Sequence, residues 1–279
     1  MELTNYSSFT RDWRTRGIDF AIAHSAELGF SSVEFIDMHN SEQMLCDVLD
    51  ADHVNRVLRD HGMRVACYSM GVPLHHDMEK NLAAVLRHVD MAAKVGSPFF
   101  HHTVTLMSVG QEEMIPIEDM LAKVLPSLKA IADRCAEHGI TTLYEPQGAY
   151  FNGIAGLDLL INTMRAEGCK NIGFCADVGN SREVDEPASV VFEHFKKDIR
   201  HVHLKDYVLT DTKPEGTRYY TSRRGVYMYD CEIGKGNIDF KECFDVLHGI
   251  GYNSAFSFEL NCDDEMLRRS IQYIKDLWG

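Results

Sequence analysis

The stretch from Ile172 to Asp206 reads IGFCADVGNSREVDEPASVVFEHFKKDIRHVHLKD. It contains two short apolar runs, Ile172 to Asp177 and Ile199 to Leu204, and between them Pro187 to Lys197 repeats its apolar residues every three or four positions. Short apolar runs are typical of buried β-strands, and the repeating pattern is typical of an amphipathic helix. The stretch therefore predicts a strand, a helix and a second, parallel strand.

The same alternation extends over the whole chain. Six further apolar runs predict strands at Leu3 to Tyr6, Ser32 to Ile36, Arg64 to Ser69, Pro98 to Thr103, Thr141 to Glu145 and Ala255 to Glu259. Seven further segments of helical period lie at Ile18 to Leu28, Ala51 to His61, Met78 to Val95, Ile117 to His138, Leu157 to Glu167, Phe240 to Ile250 and Glu265 to Leu277.

Eight strands that alternate with eight helices predict an α/β protein with a single (β/α)8 TIM barrel. Residues 1–279 would then form one domain. A doubly wound open sheet is the main competitor. It is disfavoured because no glycine-rich phosphate loop follows the first predicted strand.

The composition is that of a soluble globular protein. Hydrophobic residues make up 45% of the chain and the formal net charge is −14, which argues against nucleic acid or an anionic membrane as a partner. The eight cysteines include no C-x-x-C pair, and no apolar run follows the first basic residues. No uncharged stretch reaches the roughly 18 residues of a membrane helix. We therefore expect a cytoplasmic protein with reduced thiols and no membrane segment.

One connection is longer than the others. The segment 206–238 follows the seventh predicted strand and contains Arg218, Arg223 and Arg224 among several tyrosines, with little clear periodicity. In a (β/α)8 barrel this connection leaves the catalytic face, so we expect a long loop that acts as a lid or a subunit contact. A solvated excursion is an equally open interpretation.

Four of the predicted strands end in an ionisable residue, namely Glu145, Asp177, His203 and Glu259. Each one alone could be a salt-bridged acid or a core histidine, but parallel strands bring their carboxyl ends to one rim, where three anions need a cation. Three oxygen ligands and one nitrogen ligand suit one divalent metal ion, with Mn2+ favoured and Mg2+, Co2+ or Zn2+ as alternatives. His201 shares the strand face of His203, and we take His203 as the ligand.

Five motifs, in chain order, resemble one family over nearly the whole chain. They are the strand-end Glu145, D-x-G-N at Asp177 to Asn180, H-L-K-D at His203 to Asp206, G-x-G-x-I-D-F at Gly234 to Phe240, and the strand-end Glu259. The chain is similar to the xylose-isomerase-like barrel superfamily, and within it to ketose 3-epimerases, hydroxypyruvate isomerases and inosose dehydratases. The resemblance implies that Glu145, Asp177, His203 and Glu259 bind one divalent metal, and that the two glutamates are the catalytic acid/base pair.

The chemistry of such a site favours an isomerase or epimerase that acts on a small sugar, keto-sugar or polyol. A metal bound to a carbonyl and the neighbouring hydroxyl acidifies the C–H bond between them and stabilises an enediolate. Return of the proton to the opposite face gives epimerisation, and return to the adjacent carbon gives isomerisation. Loss of a β-hydroxyl gives a dehydratase of the inosose or 3-dehydroshikimate type. These outcomes stay open, because they depend on how the substrate lies in the site.

Four further residues are expected to bind the substrate, namely His102, Asn180, Lys205 and Arg218. Strand alternation turns one of His101 and His102 inward, and we choose His102. Asn180 stands where many relatives have a substrate-binding histidine, and it can hydrogen-bond a hydroxyl without titrating. Lys205 could be an electrophile or the partner of an acid. Arg218 could bind an anionic group of the substrate or remain solvated.

Two rival functions belong to other classes. An endonuclease-IV-like repair enzyme on the same barrel needs three zinc ions and more histidines, and both Asn180 and the net charge of −14 argue against it. A non-catalytic polyol-binding or assembly subunit has no need of four converging ionisable groups. Relatives are often homodimers or homotetramers, and the segment 206–238 could mediate such contacts.

Overall fold

A computed structural model describes residues 1–106, 114–260 and 262–279. The strands in these ranges are β1 (Glu2–Asn5), β2 (Ser32–Met38), β3 (Arg64–Gly71), β4 (Phe99–His102), β5 (Thr141–Tyr144), β6 (Ile172–Asp177), β7 (Ile199–Leu204), β8 (Tyr207–Thr210), β9 (Tyr220–Thr221), β10 (Tyr227–Asp230) and β11 (Ala255–Phe258). Eight of them form a closed barrel in the order β1, β11, β7, β6, β5, β4, β3, β2. The predicted (β/α)8 barrel is therefore confirmed.

Every helix expected from the sequence is present. The helices are α1 (Ser7–Arg16), α2 (Ile18–Glu27), α3 (Leu45–Val48), α4 (Ala51–Asp60), α5 (Met78–Lys94), α6 (Ile117–Glu137), α7 (Gly153–Ala166), α8 (Ala188–Phe195), α9 (Phe240–Gly249) and α10 (Asp264–Trp278), with a 3-10 turn at Asn180–Val184. The sequence analysis missed α3, which is a single turn, and α1, which buries only Ser8, Phe9 and Asp12 and so has almost no apolar stripe. Across the three described ranges, no helix has the length and hydropathy of a membrane span.

Two sets of residues each form a compact unit. We call Glu34–Cys175 the central unit, and we call Met1–Val33 together with Ala176–Gly279 the terminal unit. The strands β2 and β6 each contain residues of both units. The interpretation of residues 1–279 as one domain stays a prediction.

In the central unit, β3, β4 and β5 pair in parallel and in chain order. The ladder places Ser69 opposite His101 and His101 opposite Leu143. Residues that lie opposite one another in such a ladder point to the same face of the sheet. On this face Leu143 packs with Cys67 and Cys175 in a fully buried apolar layer. The face therefore combines an apolar layer with polar side chains nearer the carboxyl ends of the strands.

In the terminal unit, β1 pairs with β11 and with the start of β2, and β11 pairs with β7. The side chains between these strands are polar. Thr4 Oγ1 lies 2.7 Å from Ser32 Oγ, and His201 Nε2 lies 3.0 Å from Ser257 Oγ. All four residues are fully buried, and each polar atom named here has a hydrogen-bond partner, as burial requires.

The segment 206–238 contains regular structure, which the sequence analysis did not predict. The strand β10 lies between β8 and β9 in a three-stranded antiparallel sheet. In β10, Met228 is buried whereas Tyr227 and Tyr229 are partly exposed, which is the two-residue alternation of a strand with one covered face. The strands are only two to four residues long. Periodicity over so few positions was too weak to distinguish them from a loop.

We predict that Leu143→Ala lowers the free energy of unfolding by about 2–5 kcal/mol, because it opens a cavity in a fully buried layer. The control is Val190→Ala, at a side chain that is 51% exposed, and it should change the free energy by less than about 0.5 kcal/mol. Denaturant unfolding followed by circular dichroism measures both values. Equal effects of the two substitutions would contradict the packing of this layer.

Candidate metal centre

Asp177 is the last residue of β6 and is fully buried. Its Oδ1 accepts hydrogen bonds from the backbone N–H groups of Gly179 and Asn180, at 2.7 and 2.6 Å. Its Oδ2 lies 3.1 Å from Lys205 Nζ. The backbone of the D-x-G-N motif therefore fixes the orientation of the Asp177 carboxylate.

The ammonium group of Lys205 contacts three side chains of the terminal unit. Lys205 Nζ lies 2.7 Å from Glu259 Oε2 and 3.1 Å from Asp177 Oδ2, and it donates a hydrogen bond to Asn180 Oδ1 at 3.0 Å. Lys205 follows β7, which lies between β6 and β11 in the barrel, so it reaches the acid at the end of each neighbouring strand. Because Lys205 is only 6% exposed, these contacts are less screened than those of a surface pair.

Gly179 allows Lys205 to approach Asp177. A Cβ atom on residue 179 would lie 2.7 Å from Tyr207 Cε2 and 2.8 Å from Lys205 Cγ, closer than carbon atoms can pack. The glycine of the D-x-G-N motif is therefore required by packing. Burial raises the pKa of Tyr207 well above its ordinary value, so the phenol beside Lys205 stays protonated at neutral pH.

His203 lies on β7, with its Nδ1 3.5 Å from Glu259 Oε2. Its ring stacks on Tyr6 at a centroid distance of 5.3 Å and meets the ring of His201 edge-on at 5.2 Å. His203 is fully buried, whereas the Glu259 side chain is 28% exposed. The two rings restrict the rotation of the His203 imidazole, so its direction is set before any ligand binds.

Asp177, His203 and Glu259 have the donor atoms that a divalent metal ion requires. One imidazole nitrogen and two carboxylate oxygens of these residues lie within 4.8 Å of one another. Such a donor set suits Mn2+ or Mg2+, and imidazole also suits Zn2+ and Co2+. The contact of the Lys205 ammonium with both carboxylates shows that they attract positive charge. The terminal unit therefore brings together three of the four predicted ligands.

Glu145, the fourth predicted ligand, lies in the central unit directly after β5. It is 7% exposed, and its Oε2 lies 3.1 Å from His101 Nε2. A buried carboxylate needs a polar partner of this kind, because leaving it unpaired in a low dielectric is costly. The sequence analysis did not connect Glu145 with His101, since only the pairing of β4 with β5 brings them together.

His101, rather than His102, is the histidine of β4 that lies beside Glu145. The Nδ1 atom of His102 lies 3.0 Å from the carbonyl oxygen of Thr103, and its ring meets Tyr144 edge-on at 5.4 Å. Burial lowers the pKa of His102 to about 4, so this ring is neutral at physiological pH. The binding of substrate by His102 stays a prediction. The contacts of its ring with Thr103 and Tyr144 do not favour it.

Arg218 is linked to the surroundings of Lys205 by two tyrosines. The sequence analysis counted these tyrosines only as part of the composition of a long connection. The guanidinium carbon of Arg218 lies 5.2 Å from the ring centroid of Tyr220, and that ring meets Tyr207 edge-on at 5.9 Å. Burial raises the pKa of Tyr220, and the positive charges of Arg218 and Lys205 oppose the rise. The sheet formed by β8 to β10 therefore connects Arg218, through the ring of Tyr220, to Tyr207 beside Lys205.

Asp206 explains two of the sequence motifs. Its Oδ1 accepts hydrogen bonds from the backbone N–H groups of Tyr207 and Ile238, and its Oδ2 accepts from those of Gly234 and Gly236, all at 2.9 to 3.2 Å. A Cβ atom on residue 236 would collide with the Asp206 carboxylate. Burial raises the pKa of Asp206, and the four amides oppose the rise. The H-L-K-D motif thus supplies the carboxylate, and the G-x-G-x-I-D-F motif supplies three of the four backbone amides that bind it. We call this hydrogen-bonded cluster the Asp206 anchor.

The xylose isomerase-like TIM barrel family model matches residues 22–277, so the chain belongs to that family. An L-ribulose 3-epimerase of Mesorhizobium japonicum is 22% identical over 284 residues, which cover 94% of this chain and 82% of that protein. An uncharacterized protein of Methanocaldococcus jannaschii is 25% identical over 147 residues. That match covers 51% of this chain and less than half, 44%, of the relative.

Solved structures share the fold at low sequence identity. A D-allulose 3-epimerase from Methylomonas sp., in complex with D-allulose, superposes with a TM-score of 0.76 at 15% identity, over 99% of this chain and 96% of that chain. The IOLI protein with a bound zinc atom superposes with a TM-score of 0.75 at 15% identity, over 100% of this chain and 98% of that chain. At these identities the likeness shows the fold alone.

We predict that Asp206→Asn lowers the free energy of unfolding by about 1–3 kcal/mol, because the new NH2 group leaves two backbone N–H donors without an acceptor. Asp211→Asn makes the same chemical change at an exposed position of the same segment and should have almost no effect. Urea unfolding measures both values. A destabilisation shared by the two variants would point to net charge as the cause and would rule out the anchor.

Proposed function

We propose that this chain is a metal-dependent isomerase or epimerase that acts on a small sugar, keto-sugar or polyol. The observation that carries the proposal is the convergence of Asp177, His203 and Glu259, with ligand atoms within 4.8 Å of one another. Apolar side chains would stabilise a purely structural core at least as well as buried ionisable groups, so their presence supports a binding role. The names of two relatives, an L-ribulose 3-epimerase and a D-allulose 3-epimerase, support a sugar as the substrate.

We further propose that Glu145 is the fourth ligand of the same metal ion. The strand β5 pairs in parallel with β6, with Leu143 opposite Gly173. Glu145 is two residues beyond Leu143, and Asp177 ends the neighbouring strand. Because the carboxyl ends of paired parallel strands meet at one edge, this pairing supports a shared site.

Three carboxylates and one imidazole favour Mn2+ as the ion, with Mg2+, Co2+ or Zn2+ as alternatives. The zinc atom in the IOLI structure supports a divalent ion at a barrel of this kind. When bound, the ion would polarise a substrate carbonyl and its neighbouring hydroxyl, and so acidify the C–H bond between them.

Glu145 and Glu259 are the proposed acid/base pair, and their surroundings differ. The carboxylate of Glu145 is buried next to the His101 imidazole, whereas that of Glu259 is partly exposed and held by the Lys205 ammonium. In this proposal one carboxylate removes the proton next to the substrate carbonyl and the other returns one. Return to the opposite face of the same carbon would be epimerisation, and return to the next carbon would be isomerisation.

The proposed substrate contacts are Asn180, Lys205 and Arg218, with His102 as an untested fourth. Lys205 and Asn180 already share a hydrogen bond, so a substrate hydroxyl near them would join an existing polar cluster. Arg218 is exposed and could reach an anionic group of the substrate. The cytoplasmic location and the homodimer or homotetramer stay predictions.

A dehydratase would begin with the same proton removal and would then expel a β-hydroxyl group. Within the described ranges, no contact favours that branch or a non-catalytic polyol-binding role. The substrate assay described below distinguishes both alternatives from an isomerase or epimerase.

We predict that the purified protein, stripped with a chelator, binds one Mn2+ per chain, and that His203→Ala weakens this binding by more than about 10-fold. Removing a side chain that binds the metal ion directly should weaken metal binding at least as much as removing a side chain that only orients such a ligand. His194→Ala changes an exposed histidine on α8 and should leave the affinity unchanged. Titration calorimetry measures the three proteins. The wild-type affinity in His203→Ala would remove His203 from the site.

We also predict that Glu259→Gln lowers kcat by about 100- to 10,000-fold, the range of a lost general acid or base, while it weakens Mn2+ binding much less. The assay incubates the Mn2+ form with ketoses, aldoses, inososes and 3-dehydroshikimate in deuterated water. Deuterium at a carbon next to a carbonyl reports the proton transfer, and the product identifies the branch.

The control for this assay is Glu193→Gln, an exposed glutamate on α8, which should keep the wild-type kcat. Wild-type turnover in Glu259→Gln would contradict the acid/base role. Metal binding without deuterium exchange on any compound would instead favour a binding or assembly role.

A further inference from the structure

A pocket of about 220 Å³ lies in the terminal unit, where the 3-10 turn after β6 meets the sheet formed by β8 to β10. We call it the arginine pocket. Its lining residues are Arg182, Asp185, Leu209, Ser222, Arg224, Val226 and Met228. None of the seven is a proposed metal ligand or a proposed substrate contact. The arginine pocket is therefore a different site from the candidate metal centre.

The guanidinium group of Arg182 is partly buried and lacks an acceptor. Its Nε atom is inaccessible to solvent, and among residues 1–106, 114–260 and 262–279 it has no hydrogen-bond partner. The charge of Arg182 acts on Cys243, but burial raises the pKa of that thiol, so Cys243 stays neutral and supplies no negative charge. A buried donor without an acceptor is costly, especially when it is charged. An anion in the pocket would supply the missing acceptor.

Asp185, the acid that lines the arginine pocket, already accepts hydrogen bonds at both oxygens. Its Oδ1 accepts from the Ser222 hydroxyl at 2.6 Å, and its Oδ2 accepts from the backbone N–H of Arg224 at 3.0 Å. The backbone N–H of Arg223 also donates to the carbonyl oxygen of Glu183, at 2.9 Å. These bonds hold the connection between β9 and β10 against the 3-10 turn. The Asp185 carboxylate therefore fixes one wall of the pocket.

The charge of the lining differs in sign from that of the whole chain. Two arginines and one aspartate give the lining a positive balance, whereas the chain has a formal net charge of −14. Arg224 is exposed, and in the part of the chain that the structure describes its guanidinium group makes no ion pair. The other walls are the apolar side chains of Leu209, Val226 and Met228. The pocket thus combines two guanidinium groups with apolar surface.

We propose that the arginine pocket binds the phosphate or carboxylate group of a small organic molecule whose apolar part contacts Leu209, Val226 and Met228. A guanidinium group presents a planar fork of donors that matches both anions. The volume of about 220 Å³ is below the range of about 300–1,000 Å³ that is typical of larger ligands, so the molecule is small. This inference goes beyond the proposed function, because it requires neither the metal ion nor a sugar.

Phenyl phosphate is the probe, because it joins an anion to a small apolar ring. We expect it to bind the chelator-stripped protein with one molecule per chain in titration calorimetry. Inorganic phosphate, which lacks the ring, should bind at least about 10-fold more weakly. Benzyl alcohol, which lacks the anion, should show no measurable binding. Binding of benzyl alcohol as tight as that of phenyl phosphate would contradict recognition of the anion.

Three arginine variants test the site with the same chemical change. Arg182→Gln should weaken phenyl phosphate binding by more than about 10-fold, because it removes a partly desolvated charge-assisted contact. Arg224→Gln should weaken it by about 3- to 10-fold, because solvent screens an exposed charge. Arg223→Gln is the matched control, since Arg223 is exposed, lies between Ser222 and Arg224 and does not line the pocket. Its effect should be less than about 2-fold.

Two results of this series would overturn the proposal. An equal loss of affinity in all three variants would show that phenyl phosphate responds to net charge alone. Binding that requires Mn2+ would place the phosphate on the metal ion. If phenyl phosphate instead binds as expected while the protein exchanges no proton on any sugar, the proposed function fails and the arginine pocket stands.

NMR of the arginine Nε–H groups tests the contact in the unaltered protein. The signal of Arg182 is identified by its absence in Arg182→Lys, which keeps the positive charge and removes the guanidinium group. Phenyl phosphate should shift this signal, because the buried Nε–H gains an acceptor. Saturation with phenyl phosphate that leaves the Arg182 signal in place would overturn the proposal, whatever the stability of Arg182→Gln.

Discussion

The contact of the buried Lys205 ammonium with two carboxylates is the interaction on which the acidic site of the terminal unit depends. Because β7 lies between β6 and β11, Lys205 reaches both Asp177 and Glu259. Without a nearby cation, keeping each of these carboxylates ionised in such surroundings would lower the stability of the fold by several kcal/mol. The same contact explains why residue 179 is glycine, since a side chain there would occupy the path of Lys205.

Carboxylates at the ends of barrel strands also have a second task, which is to hold the backbone that follows. Asp37 accepts from the N–H groups of Met38 and Leu45, and Asp177 and Asp206 hold their own turns in the same way. A strand-end acid is therefore not in itself a sign of chemistry. What distinguishes Asp177 is that one oxygen binds the backbone while the other contacts Lys205.

The two histidines of β4 show where sequence reasoning reaches its limit within a strand. Alternation requires that neighbouring side chains point to opposite faces, but the strand reads FFHH, so each face receives one phenylalanine and one histidine. The pattern is therefore the same for either orientation. The pairing of His101 with Ser69 and Leu143 selects the face, and this pairing depends on residues more than thirty positions away.

The sequence by itself determined the eight barrel strands, their helices and the four ionisable residues at strand ends, because hydrophobic periodicity is local and parallel strands share the direction of their carboxyl ends. Tertiary structure alone decided which side chains meet. It placed Lys205 against two carboxylates, joined His101 to Glu145, and folded β8 to β10 into a sheet that links Arg218 to Tyr207. These contacts join residues distant in the chain, and strand order and packing, which no local pattern records, bring them within a few ångströms.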